Sequence, residues 1–304
     1  MATEYHRGEL AVQDRAELSR QAAFSLGGIG GTIPPVAAAF LAEQPLIVVG
    51  GTDADGRTWA TQLTGPPGFL RVPDPETLLI DARPLPEDPL AALLAGPAQV
   101  GMIAIEPASR RRMRINGRAA PTGTGLRVDL DQVISNCPKY IQKRGHRFPD
   151  LAGASPRPRK AVRGTALDGR QQDAIRAADT FFVATADEQG NTDASHRGGN
   201  PGFLRVLSPT LLRWPDYVGN AMFLTLGNLE LRPEAGLLVP GWETGTALHL
   251  SGTARTIWDA DEIARVPGAQ RLVEFSVRDV LEIPDALPLR WSSPDYSRFN
   301  PPVA

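Results

Sequence analysis

The sequence lacks most of the features that would mark a specialised class of protein. It holds one cysteine, Cys137, so no disulfide can form within the chain. Basic and acidic residues nearly balance, leaving a net charge of −2 and no overall field to attract a nucleic acid or an anionic membrane. No apolar run approaches the roughly 20 residues that a helix needs to cross a bilayer. No opening segment combines a basic start, an apolar run and a cleavage site. The expectation is a cytoplasmic protein with no nucleic-acid and no membrane partner. The four histidines, His6, His146, His196 and His249, are too scattered for ligand spacing, which argues against a metal site. No Gly-x-Gly-x-x-Gly follows a strand, so a resident dinucleotide is not expected either.

Turn formers are abundant. With 28 prolines, 30 glycines and 6% aromatics, the 304 residues suit many short strands and tight turns. The length allows two domains, and an internal repeat points the same way. Gly56–Val72 aligns without a gap on Gly190–Val206, at an offset of 134, and both copies contain Pro-Gly-Phe-Leu-Arg-Val. Arg114-Ile-Asn-Gly-Arg-Ala119 and His249-Leu-Ser-Gly-Thr-Ala254 keep step at an offset of 135. Between the copies, Gly145–Thr165 has linker composition, which places the units at 1–150 and 151–304. The pattern predicts a mainly β protein with short helices. Helices are expected over Glu9–Ser25, from Pro34 to Glu43, over Asp88–Leu94, from Cys137 to Arg144, over Asp168–Ala178 and over Asn220–Leu231. Strands are expected at Leu46–Val49, Thr58–Leu63, Val100–Ile105, Arg112–Ala119, Phe181–Thr185, Asp193–Arg197, Ala247–Ile257 and Arg271–Ile283.

The candidate site is Asp193–Asn220. On a strand, Asp193, Ser195 and Arg197 share one face while His196 points to the other, so Ser195 and His196 cannot act as nucleophile and base. What remains is an anion-binding face, a guanidinium and a hydroxyl beside the open backbone of Gly198 and Gly199. The same residues also suit an exposed strand that ends in a glycine turn. Asn220, preceded by Asp216-Tyr217-Val218-Gly219, reads either as a phosphate-accepting helix start or as an ordinary cap. In the first copy Thr61, Gln62 and Leu63 stand for Ser195, His196 and Arg197, and Ile80–Pro86 has no Gly-Asn. One functional site per chain is the consequence. Cys137 suits either a small buried hydrophobe or a thiol acidified by Lys139, Lys143 and Arg144.

Taken together, Asp193-Ala-Ser-His-Arg-Gly-Gly199, Pro201-Gly-Phe203, Trp214-Pro-Asp-Tyr-Val-Gly-Asn220, Leu226-Gly-Asn228 and His249–Ala254 resemble the flavin-nucleotide-binding proteins related to pyridoxamine 5′-phosphate oxidase. Asn136–Gln142 and His6–Gln13 look like the subgroup with two units in tandem. The resemblance implies tandem split β-barrels binding FMN where two barrels meet, in a monomeric pseudo-dimer or a homodimer. It lays Ser195, His196, Arg197, Gly198 and Gly199 along the phosphate and ribityl chain. Asp216, Tyr217, Gly219 and Asn220 would close over the phosphate, with Asn228 one helix face further on. His249 and Ser251 would face the isoalloxazine ring, and Arg114, Lys139 and Tyr140 are candidates for the opposite wall. The implied activity is oxidation or reduction of a small molecule by hydride transfer at flavin N5, with NAD(P)H binding transiently or a partner reductase supplying electrons. No catalytic side chain is identified. The alternatives are a non-catalytic flavin carrier and a haem-binding split barrel using His196 or His249. The tail lacks the Trp and Arg pattern that recognises pyridoxal phosphate.

Overall fold

A computed structural model describes residues 4–135, 138–148 and 160–303; Asn136 and Cys137 lie outside them. The first half runs α1 (Arg7–Arg15), α2 (Ser19–Ser25), β1 (Ile29–Gly30), α3 (Pro35–Ala42), β2 (Leu46–Thr52), β3 (Thr58–Thr64), β4 (Leu70–Asp74), β5 (Thr77–Ile80), β6 (Ala98–Glu106), β7 (Arg111–Pro121), β8 (Leu126–Ser135) and β9 (His146–Arg147). The second runs β10 (Val162–Gly164), α4 (Gly169–Ala177), β11 (Thr180–Ala186), β12 (Thr192–Gly198), β13 (Arg205–Ser208), β14 (Leu211–Asp216), α5 (Leu224–Leu231), β15 (Glu234–Pro240), β16 (Ala247–Ile257), α6 (Ala260–Ala264), β17 (Arg271–Ile283) and β18 (Arg290–Trp291).

Each half forms an antiparallel sheet of eight strands, and the order is the same in both. In the first it is β3-β2-β6-β7-β8-β5-β4, with β1 also on β8. In the second it is β12-β11-β15-β16-β17-β14-β13, with β10 also on β17. Each sheet wraps its own core as a split β-barrel. Trp59 and Leu63 at one edge and Leu70 at the other share one cluster with Met102, Ile115 and Val128; Phe203, Trp214, Leu237, Leu250 and Phe275 lie in the other.

A third apolar layer joins the two barrels, and it explains why the central strands are apolar on both faces. Along β2, Ile47 and Val49 point into the barrel, whereas Leu46 and Val48 enter the layer between barrels. Along β11, Phe181 and Val183 point inward while Phe182 and Ala184 face the first barrel. Alternation of side chains on a strand thus serves two cores at once. The layer closes to backbone contact at two glycines. A Cβ on Gly101 would lie 2.4 Å from Asp193 Cα, and one on Gly236 would lie 2.5 Å from Trp59 Cα.

Several local expectations change. The helix expected over Glu9–Ser25 is two helices, because Glu17 adopts φ 58 between them. Although it falls in the first unit by sequence, α1 packs on α5 of the second barrel: a Cβ on Gly8 would lie 2.2 Å from Gly227 O, and Val12 joins the second core. The helix expected at Asp88–Leu94 is only a short 3-10 turn, Leu93–Ala95. Residues 138–144 form no helix. They run extended enough for Lys143 to bridge Asp295, and β9 pairs with β18. The C-terminal tail is therefore fastened to the segment that leaves the first barrel, with Gln142 accepting from the Ser297 N–H at 2.9 Å.

Candidate functional site

Strand β12 delivers the polar face that its alternation predicts. Ser195 Oγ donates to Asp193 Oδ2 at 3.1 Å and meets Thr225 Oγ1 of α5 at 2.9 Å. His196 points the other way, into the layer between barrels, where its Nδ1 lies 2.8 Å from an Arg112 guanidinium nitrogen and its ring packs edge-on against Phe182. Burial and the neighbouring Arg112, Arg197 and Arg114 charges push its pKa well below the ordinary value. Ser195 and His196 have separate partners and form no catalytic pair.

Arg197 reaches a cavity of about 160 Å³ between β12, β14 and the loop before α5. Arg114 of the first barrel lines it as well, together with Asp216, Tyr217, Gly219, Asn220, Thr225 and Arg271. Three guanidinium groups meet two carboxylates there. Arg271 holds Asp216 through two nitrogens, at 3.0 and 2.9 Å. Arg114 donates to Asp193 at 3.0 Å. Arg197 has only a longer contact with Asp216, at 3.6 Å, and 22% of its side-chain surface stays open. Among the described residues neither Arg197 Nε nor Arg114 Nε has a hydrogen-bond partner. Burial lowers the pKa of Arg197, and the Asp216 charge only partly restores it. The site is thus positive, largely buried and short of acceptors.

The backbone adds to this. The helix expected from Asn220 begins only at Leu224, since Ala221 and Phe223 both adopt left-handed φ, 61° and 62°. Such conformations cost about 1–3 kcal/mol each and gather at functional sites. Asn220 turns back on itself, its Oδ1 accepting from the Met222 N–H at 3.2 Å. Arg271 lies 4.7 Å over the Phe223 ring, which fixes the loop against β17.

Not all expected residues meet here. Tyr140 reaches the rim, its ring 5.1 Å from Tyr217 and its hydroxyl donating to Val218 O at 3.1 Å. Gly198 lets it pass, for a Cβ there would lie 2.1 Å from Tyr140 O. Gly199 is taken up by structure, its N–H donating to Asp179 O at 3.1 Å. Lys139 sits 5.9 Å over the Phe299 ring. Asn228 faces a neighbouring cavity of about 220 Å³ that Glu9 and Asp193 also line, and its Oδ1 meets His6 Nε2 at 3.0 Å. Ser251 lines another pocket, with Arg57 and Arg278. His249 lies in a second groove between the barrels, where its Nδ1 lies 2.9 Å from Ala60 O.

That second groove, about 270 Å³, occupies the corresponding place on the other side of the molecule. Its lining residues Leu63, Arg83 and Leu85 stand 134 positions before Arg197, Tyr217 and Gly219, and His249 stands 135 after Arg114. Sequence reading missed Arg271, Thr225 and the left-handed pair. Arg271 becomes legible only through the register that sets it opposite Asp216. Among the described residues no group of His, Cys, Asp and Glu is arranged to hold a metal ion, and no helix is long and apolar enough to cross a membrane.

No family model and no curated protein matches the chain. Solved structures that resemble part of it include a putative pyridoxamine 5′-phosphate oxidase from Lactobacillus delbrueckii, 19% identical over 40% of this chain and 98% of that one, with a TM-score of 0.34. The FAD binding protein from Mycobacterium smegmatis is 12% identical over 40% and 99%, at 0.29. HupZ of Group A Streptococcus is 14% identical over 37% and 90%, at 0.31. Each spans about as much of this chain as one of its barrels.

Proposed function

We propose that the chain is a flavin-binding split-barrel protein that takes FMN, with the phosphate in the Arg197 cavity. The observation that carries this is Arg197 itself, a largely buried cation whose ion-pair partner Asp216, at 3.6 Å, is already held by Arg271. A phosphate would supply the missing acceptors for Arg197 Nε and Arg114 Nε. The cavity takes a phosphate and part of the ribityl chain, so the ring would extend beyond it.

Bound flavin would supply hydride transfer. This chain's residues bind and orient it. Arg197 and Arg114 hold negative charge, Asp216 and Arg271 fix the wall, and Tyr140 with Tyr217 shields the rim from water. Ser195, engaged with Asp193 and Thr225, serves to position the strand and not as a nucleophile. We read the protein as an oxidoreductase on a small molecule, with NAD(P)H or a partner reductase as electron source. Titration of the protein with FMN tests the cofactor. Arg197→Ala removes a charge-assisted contact worth about 1.5–3 kcal/mol and should weaken FMN by about one to two decades. Asp216 keeps Arg271, so the variant should fold. Unchanged FMN affinity in that variant would overturn the assignment, and bleaching of bound flavin by NAD(P)H without oxygen separates an enzyme from a carrier.

A further inference from the structure

The second groove keeps its place but not its charge. Where the first places Arg197, it has Leu63. Its one cation, Arg83, sits at the exposed rim with its guanidinium donating to the backbone carbonyls of Thr122 and Gly123. Its one carboxyl, Asp88, is buried and accepts from Thr61 Oγ1 and from the Leu90 N–H at 2.9 Å. Burial pushes the Asp88 pKa up, with His249 the largest opposing influence. Nothing in this groove favours an anion.

Three buried polar atoms on its wall nevertheless have no hydrogen-bond partner among the described residues. They are Gln62 Nε2, Gln62 Oε1 and His249 Nε2, on side chains of residues 9% and 1% exposed. Their chemistry is fixed. Ala60 O can only accept, so His249 Nδ1 carries the proton and donates to it at 2.9 Å. Burial lowers the pKa of His249 and keeps the ring neutral, which leaves Nε2 as an acceptor. Gln62 offers an NH2 group with two donors and a carbonyl oxygen that accepts. Native interiors seldom leave such groups unmatched, and an unmatched amide destabilises the fold unless something occupies the site. The complement of this set is two N–H groups and one carbonyl on an uncharged group. The remaining wall combines Leu63, Leu85, Ala247, Ala286 and Pro288 with the hydroxyl-bearing Thr61 and Thr64.

We propose that this groove binds a small neutral ligand through a primary carboxamide. The carbonyl accepts from Gln62 Nε2, one N–H donates to Gln62 Oε1 and the other to His249 Nε2. The site is separate from the flavin cavity and stands whether or not that cavity takes FMN. Benzamide and benzoate probe it, because they share shape and differ in the group that matters. Calorimetric or ligand-observed NMR titration of the full chain should show saturable benzamide binding and at least about tenfold weaker benzoate. Gln62→Leu should lower benzamide affinity by at least about tenfold while the chain stays folded. His249→Phe should do the same by a different loss, so the test survives if one variant fails to fold. Equal binding of benzoate, no saturable benzamide binding, or full benzamide affinity in a folded variant would each overturn the proposal.

Discussion

Gly101→Ala tests how the two barrels are held together. The added methyl would stand 2.4 Å from Asp193 Cα and 2.5 Å from Thr192 O. Carbon atoms pack at about 3.5–4.0 Å, so strand β12 must retreat by about 1 Å. Neither obstruction is a side chain that can swing aside. Overpacking of this kind costs about 1–3 kcal/mol, and a clash with backbone belongs at the upper end. For a chain of this size that lowers the melting midpoint by about 2–5 °C. The functional cost should be uneven. Asp193 anchors Arg114 at 3.0 Å, so a shift of β12 loosens the Arg197 cavity. Gly236→Ala presses on Trp59 at 2.5 Å instead and should cost similar stability with less loss of FMN affinity. Thermal melting of both variants, with FMN titration well below the midpoint, checks this. Unchanged melting in Gly101→Ala, or equal loss of FMN affinity in the two variants, would refute the reasoning.

Saturation with FMN should occur at one equivalent per chain, because Leu63 leaves the second groove without a phosphate partner; two equivalents of similar affinity would contradict it. Riboflavin, lacking the phosphate, should bind more weakly than FMN by about one to two decades, read by fluorescence quenching. The absorption spectrum of loaded protein should show flavin bands and no Soret band, since a Soret band would point to haem on His196 or His249. Burial, reinforced by the Asp193 and Asp187 charges, pushes the Glu9 carboxyl up to about 8 from an ordinary 4.5, so the folded chain keeps a proton that the unfolded chain releases across that window. Stability contributed by Glu9 is therefore full below pH 4.5 and lost as pH rises toward 8. Glu9→Gln should match the wild type near pH 4.5 and exceed it above pH 8 in chemical denaturation.

Much of the fold was legible because strand alternation and turn residues are local signals. Leu46–Val49 reads as buried on both sides, and the structure supplies two cores to bury it. The shared face of Asp193, Ser195 and Arg197 follows from a period of two, and the Ser195–Asp193 bond bears it out. What sequence could not supply was long-range register. Arg271 joins Asp216 only because β14 and β17 pair. The start of α5 was misplaced because neither alanine nor phenylalanine advertises a left-handed backbone. The resemblance sets His249 against the flavin ring, whereas the structure places it in the second groove. In this chain the walls cross, so Arg114 of the first barrel lines the second barrel's groove and His249 of the second lines the first's.

That crossing bears on how such a protein can change. In a pair of identical subunits a single codon writes itself into both grooves, and any new residue must suit two pockets at once. Here each groove is encoded by its own codons, so a substitution such as leucine for arginine at residue 63 alters one pocket and leaves its counterpart intact. The two sides are separately heritable, free to diverge in what they hold while the glycine contacts between barrels keep them at a fixed distance.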